Sequence, residues 1–403
     1  MLKDEVLFAW WVLSSIPNIG SITLNKIRER LPSVSALTEC SAQDLINYGL
    51  KTELALTWQQ SRQLAACHQG PFLRQSWDKL NAWCQQPDCG ILMPDDACYP
   101  RALSALRDAP IFLFYRGNPS LLSEASIAIV GSRNPSHYGR EQAFTIAQQL
   151  VISDWHVISG LAIGIDAEAH KGALNNSTGI GKGKTIAVLG SGLEAIYPSC
   201  HQVLADNIVA SGGLLLSEYL PDMKALARHF PRRNRLVSGI SLGTLVIEAA
   251  YKSGSLITAR LAVEQGREVF ALPGAVSNPL SRGCHQLIKE GANLIENATD
   301  IISLLNSDLA IETRACEEEV QHDLLSSSFT TKSDTPKLEA HKSKAAQLKG
   351  VAQTIYVALD VVPTAIDSLV NRTGLSVAEI AQQLILMELK GQVEQVPGGY
   401  VRL

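Results

Sequence analysis

The chain has 403 residues, 46% of them hydrophobic and 18% charged, with a formal net charge of −4. That is enough apolar material for two or three packed domains. The acidic balance excludes a protein that coats nucleic acid through its overall charge, so any such contact has to be local.

No apolar run reaches the roughly 18 residues of a membrane-spanning helix. The first twenty residues carry Asp4 and Glu5 and have no cleavage site behind a basic segment, so they do not read as a secretory signal. A cytoplasmic protein with no membrane partner is predicted. Its eight cysteines, at 40, 67, 84, 89, 98, 200, 284 and 316, are then expected to be reduced thiols. Cys84, Cys89 and Cys98 are the only group near metal-ligand spacing, and they lack a CxxC pair, so no metal is predicted.

Residues 1–70 show helical spacing and few strand signals. Ile16–Gly20 followed by Ser21 reads as a hairpin between two helices, with Gly20 turning the chain and Ser21 capping the second helix. Such a hairpin can offer backbone N–H groups to a phosphate or can simply be a structural turn.

Residues 71–305 change character. Six apolar runs end in glycine or a small or polar residue: Ile127–Gly131, His156–Gly160, Thr185–Gly190, Leu214–Glu218, Thr244–Glu248 and Glu268–Pro273. None alternates, as expected of strands buried on both faces. Helical stretches such as Arg140–Ser153 and Ser255–Gln265 lie between them. This β/α alternation predicts an α/β core, a mostly parallel sheet with helices on both sides, whose ligand site lies beyond the carboxyl ends of the strands.

Residues 306–347 are rich in Ser, Thr, Glu and Lys and read as a flexible linker. Residues 348–403 recover helical spacing. Ser376–Glu379 forms a capping box ahead of a helix with Ile380, Leu384 and Met387 on one face. Gly391–Leu403 reads as a β-hairpin turning at Pro397–Gly399, and helices followed by a hairpin give the order of a winged helix.

Four glycine turns of the core are suited to anions. Gly131, Ser132 and Arg133 join a strand to the helix that follows, so helix N–H groups and a guanidinium would converge there. Gly160 and Gly164 permit close backbone approach, Asp166 is expected to cap the next helix, and His170 and Lys171 lie on its first turns. Gly190–Gly192 follows the third strand, and Ser253, Gly254 and Ser255 precede a helix with Thr258 one turn in. Residues 228–235 add four arginines, a histidine and Phe230 to an otherwise acidic chain. Arginine forks phosphate oxygens, and an adjacent ring offers a face for a base.

Two look-alikes fail. Gly179–Thr185 approximates a P-loop, but it is one residue short and precedes its strand instead of following it. No Gly-x-Gly-x-x-Gly follows the first strand, since Arg133 stands where the second glycine must admit a pyrophosphate, so no dinucleotide cofactor is predicted. Ser132, Ser191 and Ser253 sit on tight turns without a nucleophile elbow. Glu218 and Glu248 close two strands and are read as organisers of nearby arginines more than as general bases.

From about Tyr99 to Asp300 the chain resembles the DNA-processing protein A (DprA, or Smf) family. The resemblance rests on Tyr99–Arg101, Gly131–Arg133, Ser159–Asp166, Ala187–Gly192, Ser217–Tyr219, Phe230–Arg235, Ser253–Ala259 and Ala271–Gly274, in family order. It implies a Rossmann-like core, an N-terminal helical domain of the SAM-like kind and a C-terminal winged helix. It also implies a non-catalytic, cofactor-free function: binding single-stranded DNA, protecting it during natural transformation and loading the RecA recombinase, typically as a homodimer.

Carried onto this chain, Gly131, Ser132 and Arg133 would hold one phosphate. Phe230, Arg232, Asn234 and Arg235 would line the next part of the pocket. Gly160, Gly164 and Ser253–Ser255 would complete it, with Lys171 nearby. Replacing Arg133 or Arg235 by alanine is then expected to weaken binding uniformly across sequences. The insertion Asn175–Gly183 departs from the family pattern. The principal alternative is a nucleotide phosphoribohydrolase, which Ser241–Glu248 faintly resembles, though the Pro-Gly-Gly of that motif is missing and Glu248 is one residue out of place. A sugar- or dinucleotide-binding regulator acting on duplex DNA is the third class.

Overall fold

An apolar run without alternation has to be covered on both faces, and the six runs of the core achieve this by lying side by side between two helical layers. The computed structural model describes residues 2–66, 71–175 and 181–306, scattered positions between 369 and 387, and residues 393–396 and 399–402. The chain forms two units, Met1–Cys316 and Glu317–Leu403.

The strands of the first unit are β1 (Cys89–Leu92), β2 (Leu113–Gly117), β3 (Ser126–Gly131), β4 (His156–Ser159), β5 (Thr185–Leu189), β6 (Leu214–Ser217), β7 (Gly243–Ile247), β8 (Glu268–Ala271) and β9 (Asn293–Leu294). They form one sheet in the order β1-β2-β6-β5-β4-β3-β7-β8-β9. From β6 to β9 every pair is parallel, while β1–β2 and β2–β6 are antiparallel. The six predicted runs are β3 to β8. The antiparallel edge β1–β2 and the two-residue β9 were not anticipated. Strand order reverses between β3 and β7, which are hydrogen-bonded neighbours separated in sequence by three strands. The carboxyl ends of these two strands flank the crevice that such sheets reserve for ligands.

The helices are α1 (Leu2–Ser14), α2 (Ser21–Arg28), α3 (Ala42–Asn47), α4 (Thr52–Ala66), α5 (Pro71–Cys84), α6 (Arg101–Ser104), α7 (His137–Ile152), α8 (Ile165–Leu174), α9 (Gln202–Ala210), α10 (His229–Ile240), α11 (Gly254–Glu264) and α12 (Arg282–Lys289). Side chains alternate across the sheet, and the two faces feed separate cores. Ala128, Val130, Ile186 and Val188 pack with Leu236, Val237 and Ile240 of α10 and with Leu256, Ala259 and Ala262 of α11. Ile127 and Ile129 face the other way, onto Ala143, Ile146 and Leu150 of α7 and Ala169 of α8. Each fully buried Val, Leu or Ile side chain among them contributes about 1.5–3 kcal/mol.

The N-terminal helices have their own core around Trp10, Leu13, Ile27, Leu37 and Trp58, and it extends to Met93 and Ile111 beside the antiparallel edge. The α1–α2 hairpin exists, but the left-handed residue is Asn18 at φ +71, and Gly20 is an extended N-cap at φ −104. Ser21 is the first helical residue instead of the cap. Asn25 ties α2 to the core by donating to the Ala109 carbonyl at 2.7 Å.

In the second unit, strands β10 (Val393–Val396) and β11 (Gly399–Arg402) pair antiparallel with Val396 opposite Gly399, as the predicted hairpin requires; residues 397 and 398 lie outside the described residues. Ile380, Leu384 and Met387 are all buried, consistent with one apolar helix face. The linker 306–347 (but for residue 306) and residues 376 and 379 of the capping box lie outside the described residues.

Candidate nucleic-acid interface

A cleft of about 710 Å³ opens over the carboxyl ends of the strands, lined from β3, the β4–α8 turn, α10 and the start of α11. Nine of the thirteen predicted residues line it: Gly131, Ser132, Arg133, Gly160, Phe230, Asn234, Ser253, Gly254 and Ser255.

Gly131 sits where β3 and β7 approach most closely. A Cβ there would come within 1.9 Å of the Ile247 carbonyl oxygen, so no larger residue fits without moving the strands. The Ser132 carbonyl accepts from Ile165 N at 3.1 Å, which fastens this turn to α8. Gly164, the N-cap of α8 at φ +88, packs against the backbone of Ser132 and Arg133. It therefore shapes the turn without lining the cleft. Arg133 is exposed, and its guanidinium lies 5.8 Å from the centre of the Phe230 ring.

The turn before α11 is the second open one. The Ser253 hydroxyl caps the helix by accepting from Ser255 N at 3.3 Å, and the space around Gly254 is empty within 4 Å of where a Cβ would stand. The positive end of an eleven-residue helix faces the cleft here.

The other two turns serve the scaffold. Asp166 does not cap α8. Its carboxylate instead reaches back to accept from Gly160 N at 3.1 Å and Ala162 N at 3.4 Å, so the N–H groups of that turn are already taken. Gly192 donates to the Met223 carbonyl at 2.7 Å, and a Cβ on it would strike the Leu220 and Pro221 carbonyls. Gly190 lies directly under Phe230.

Arg228 is the N-cap and residues 229–235 the opening turns of helix α10, with Pro231 in the first turn, where its missing N–H costs nothing. Helical spacing sends its residues in two directions. Phe230, Arg233, Asn234 and Val237 face the cleft. Arg232 and Arg235 face away. Arg235 is 6% exposed and pairs with Glu218 at 2.5 Å and Asp108 at 3.0 Å. Arg232 lies 3.5 Å from Glu218 and donates to the Ser21 hydroxyl at 3.0 Å, joining α10 to α2. The expectation that Arg232 and Arg235 line the pocket is therefore corrected, because their partners are carboxylates of the scaffold. Glu218 organises arginines, as read. Burial raises its pKa and the two arginines oppose that.

Lys171 is a second correction. It lies in the last turn of α8, outside the cleft, and is paired with Glu168 at 2.9 Å. His170 beside it is wholly buried, its Nδ1 is 2.7 Å from the Thr185 hydroxyl, and burial pushes its pKa down to about 3, so it supplies no cation. Glu248 organises a helix start rather than an arginine, accepting from Ser136 N at 2.7 Å, the Ser136 hydroxyl at 2.5 Å and Asn278 Nδ2 at 3.1 Å. The described part of the insertion is Asn175, the C-cap of α8, and Gly181 to Gly183, which pack on Val151, Ile152 and Trp155 at the amino end of β5, away from the cleft.

Three of the lining residues outside the predicted set carry a charge or an aromatic ring. Arg233 is 5% exposed and donates through Nη1 to the carbonyls of Gly160 (2.7 Å) and Val188. It thus ties together the ends of β4 and β5. Burial lowers its pKa and Asp166 opposes that, but a guanidinium stays charged in any case. Asp166 is the one carboxylate of the lining; burial raises its pKa while Arg233 counters. Tyr197, 54% exposed, stands with its ring centre 5.5 Å from that of Phe230, making an aromatic pair at the mouth. An i, i+3, i+4 reading of 228–235 would have found Arg233. Among the described residues no group of His, Cys, Asp and Glu is placed to hold a metal, and the six described cysteines are free thiols.

A doubly wound, mostly parallel sheet with glycine turns and an arginine–aromatic wall at its switch point defines a Rossmann-like protein with its cleft at the strands' carboxyl ends. The profile described as DNA recombination-mediator protein A matches residues 90–306, and that of the DprA winged helix domain matches 339–399. Protein Smf of Escherichia coli K12 is 39% identical over 332 residues, covering 82% of each chain. DNA processing protein DprA of Streptococcus pneumoniae is 38% identical over 67% of this chain and 94% of its own. A crystal structure of DprA from that species aligns with a TM-score of 0.62 at 35% identity, over 73% of this chain and 96% of the other. The chain belongs to the DNA recombination-mediator protein A (DprA/Smf) family, and its role is in DNA processing.

Proposed function

We propose that the protein is a cytoplasmic, non-enzymatic binder of single-stranded DNA that holds incoming strands and passes them to a RecA recombinase during DNA uptake, working as a homodimer. The observation that carries this reading is the cleft itself. It combines two open phosphate-accepting turns with an exposed Arg133 and an aromatic pair, on a chain whose net charge is −4. Phosphates seat on the Gly131–Arg133 turn and on the N-terminus of α11, which read no sequence. Bases stack on Phe230 and Tyr197, and every base has a face to offer. Two such clefts in a dimer would raise avidity for one strand.

The phosphoribohydrolase alternative would draw on Glu248, whose carboxylate is committed to Ser136 and Asn278 and does not line the cleft. The test is fluorescence anisotropy of labelled oligo-dT against the matching duplex over a salt series. Salt-sensitive binding of the single strand in preference to the duplex is the expected result. Preference for duplex, or no binding, would overturn it. RecA loading is checked by the rate of RecA filament formation on protein-coated single strands, which should rise with the protein and stay flat without it.

A further inference from the structure

We propose that the floor of the cleft is a phosphomonoester site that singles out a terminal phosphate from the internal phosphodiesters of a strand, with Arg233 as its anchor. This rests on the reading of the cleft as a DNA-binding site.

Arg233 is an unusual residue for a DNA-binding surface, because it is 5% exposed and yet lines an open cleft. Its guanidinium is held rigidly. Nη1 donates to the carbonyls of Gly160 and Val188, and Nε reaches Asn234 Oδ1 at 3.3 Å. Nη2 makes no hydrogen bond to any described residue. It lies over Gly160, itself part of the lining, where a Cβ would come within 2.3 Å of it. A buried cation with a spare N–H donor is a strong site for an anion, since charge-assisted bonds are the stronger ones and solvent screens them little there.

Depth decides which anion. An internal phosphodiester carries a nucleotide on both sides and has to stay where both can leave the cleft. A terminal phosphate has one attachment and can descend to a nearly buried guanidinium. It also carries close to two negative charges near pH 7, against one for a diester. The N-terminus of α11 across the cleft adds favourable dipole and N–H groups. Asp166, also lining the cleft, is engaged by the N–H groups of Gly160 and Ala162 and holds the opposing charge. The aromatic pair Tyr197 and Phe230 at the mouth would take the base of the same nucleotide.

The shared chemistry, a phosphomonoester, belongs to a strand end and to a free nucleotide alike. The experiment compares the full-length protein with four versions of one labelled oligo-dT: hydroxyl-ended, 5′-phosphorylated, 3′-phosphorylated and circular. Thymidine monophosphate and thymidine are added as competitors. About tenfold tighter binding of a phosphorylated end than of the hydroxyl-ended strand and the circle is expected. Displacement of that end by thymidine monophosphate but not by thymidine would extend the site to free nucleotides; no displacement would assign it to strand ends. Equal affinity for all four oligonucleotides overturns the proposal while leaving single-strand binding intact. Failure to bind any of them instead strikes the underlying reading. Arg233→Lys, which keeps the charge and loses the fork, should remove most of the end preference. Because the comparison of ends uses the unmodified protein, the result stands even if this variant folds poorly.

Discussion

Helix α10 has two faces of similar composition and opposite duty. Arg232 and Arg235 are arginines of one short run, as Arg233 is, yet they end on carboxylates and on Ser21, whereas Arg233 ends beside Phe230 and Asn234 in the cleft. The difference is set by the helical repeat and by which neighbours each face meets. Positive charge on its own therefore says little about where a strand lies. An arginine paired to Glu218 at 2.5 Å has its donors committed to a carboxylate, whereas Arg233 keeps a spare donor over glycine and its nearby carboxylate, Asp166, is taken up by backbone N–H groups.

The sharpest way to break this contrast is to remove Arg235. Arg235→Ala leaves Glu218 and Asp108 without their buried partner and should lower stability by about 3–5 kcal/mol, read by denaturant unfolding. The affinity of the folded protein for oligo-dT should hardly move. On the cleft face the expected losses are smaller in stability and appear in binding. Phe230→Ala should cost about 1–3 kcal/mol of binding to a single strand with little change in its salt dependence, measured by anisotropy. Arg133→Ala should weaken binding about tenfold and reduce the magnitude of the salt slope by roughly 0.7, with stability within about 0.5 kcal/mol of the parent.

A pH titration sharpens the cleft side further. Burial holds the Asp166 pKa above the ordinary carboxylate range. As pH falls toward and through that raised value, the cleft loses a negative charge and affinity for the strand should rise by about threefold. Asp166→Asn should hold the low-pH affinity across the range and flatten the profile. The smallest effect belongs to Lys171→Ala, which breaks an exposed pair with Glu168 and should change stability and binding by less than about 0.5 kcal/mol each.

Much of the parallel sheet was legible because buried parallel strands have to be continuously apolar, and β3 to β8 are. The edge was not. Cys89–Leu92 and Leu113–Gly117 are four and five residues long, and they join the sheet by pairing β2 with β6 and β1 with β2, not through any pattern of their own. Glycine turns were legible as places of close approach, and Gly131 is one. Whether a turn's N–H groups are free could not be read, since Asp166 fills one turn and the loop through Met223 fills another. Arg232 and Arg235 were misplaced for a related reason. Residue type marked a phosphate site, but direction depends on treating 229–240 as a helix and on Asp108 and Glu218, which lie far away in sequence.

The most direct test of the two-faced helix is a pair of salt series for oligo-dT binding, one on Arg133→Ala and one on Arg235→Ala, at a denaturant-free temperature where both are folded. The account predicts a shallower slope for Arg133→Ala and the parental slope for Arg235→Ala. A shallower slope for Arg235→Ala with the parental slope for Arg133→Ala would put the strand on the other face of α10 and contradict it.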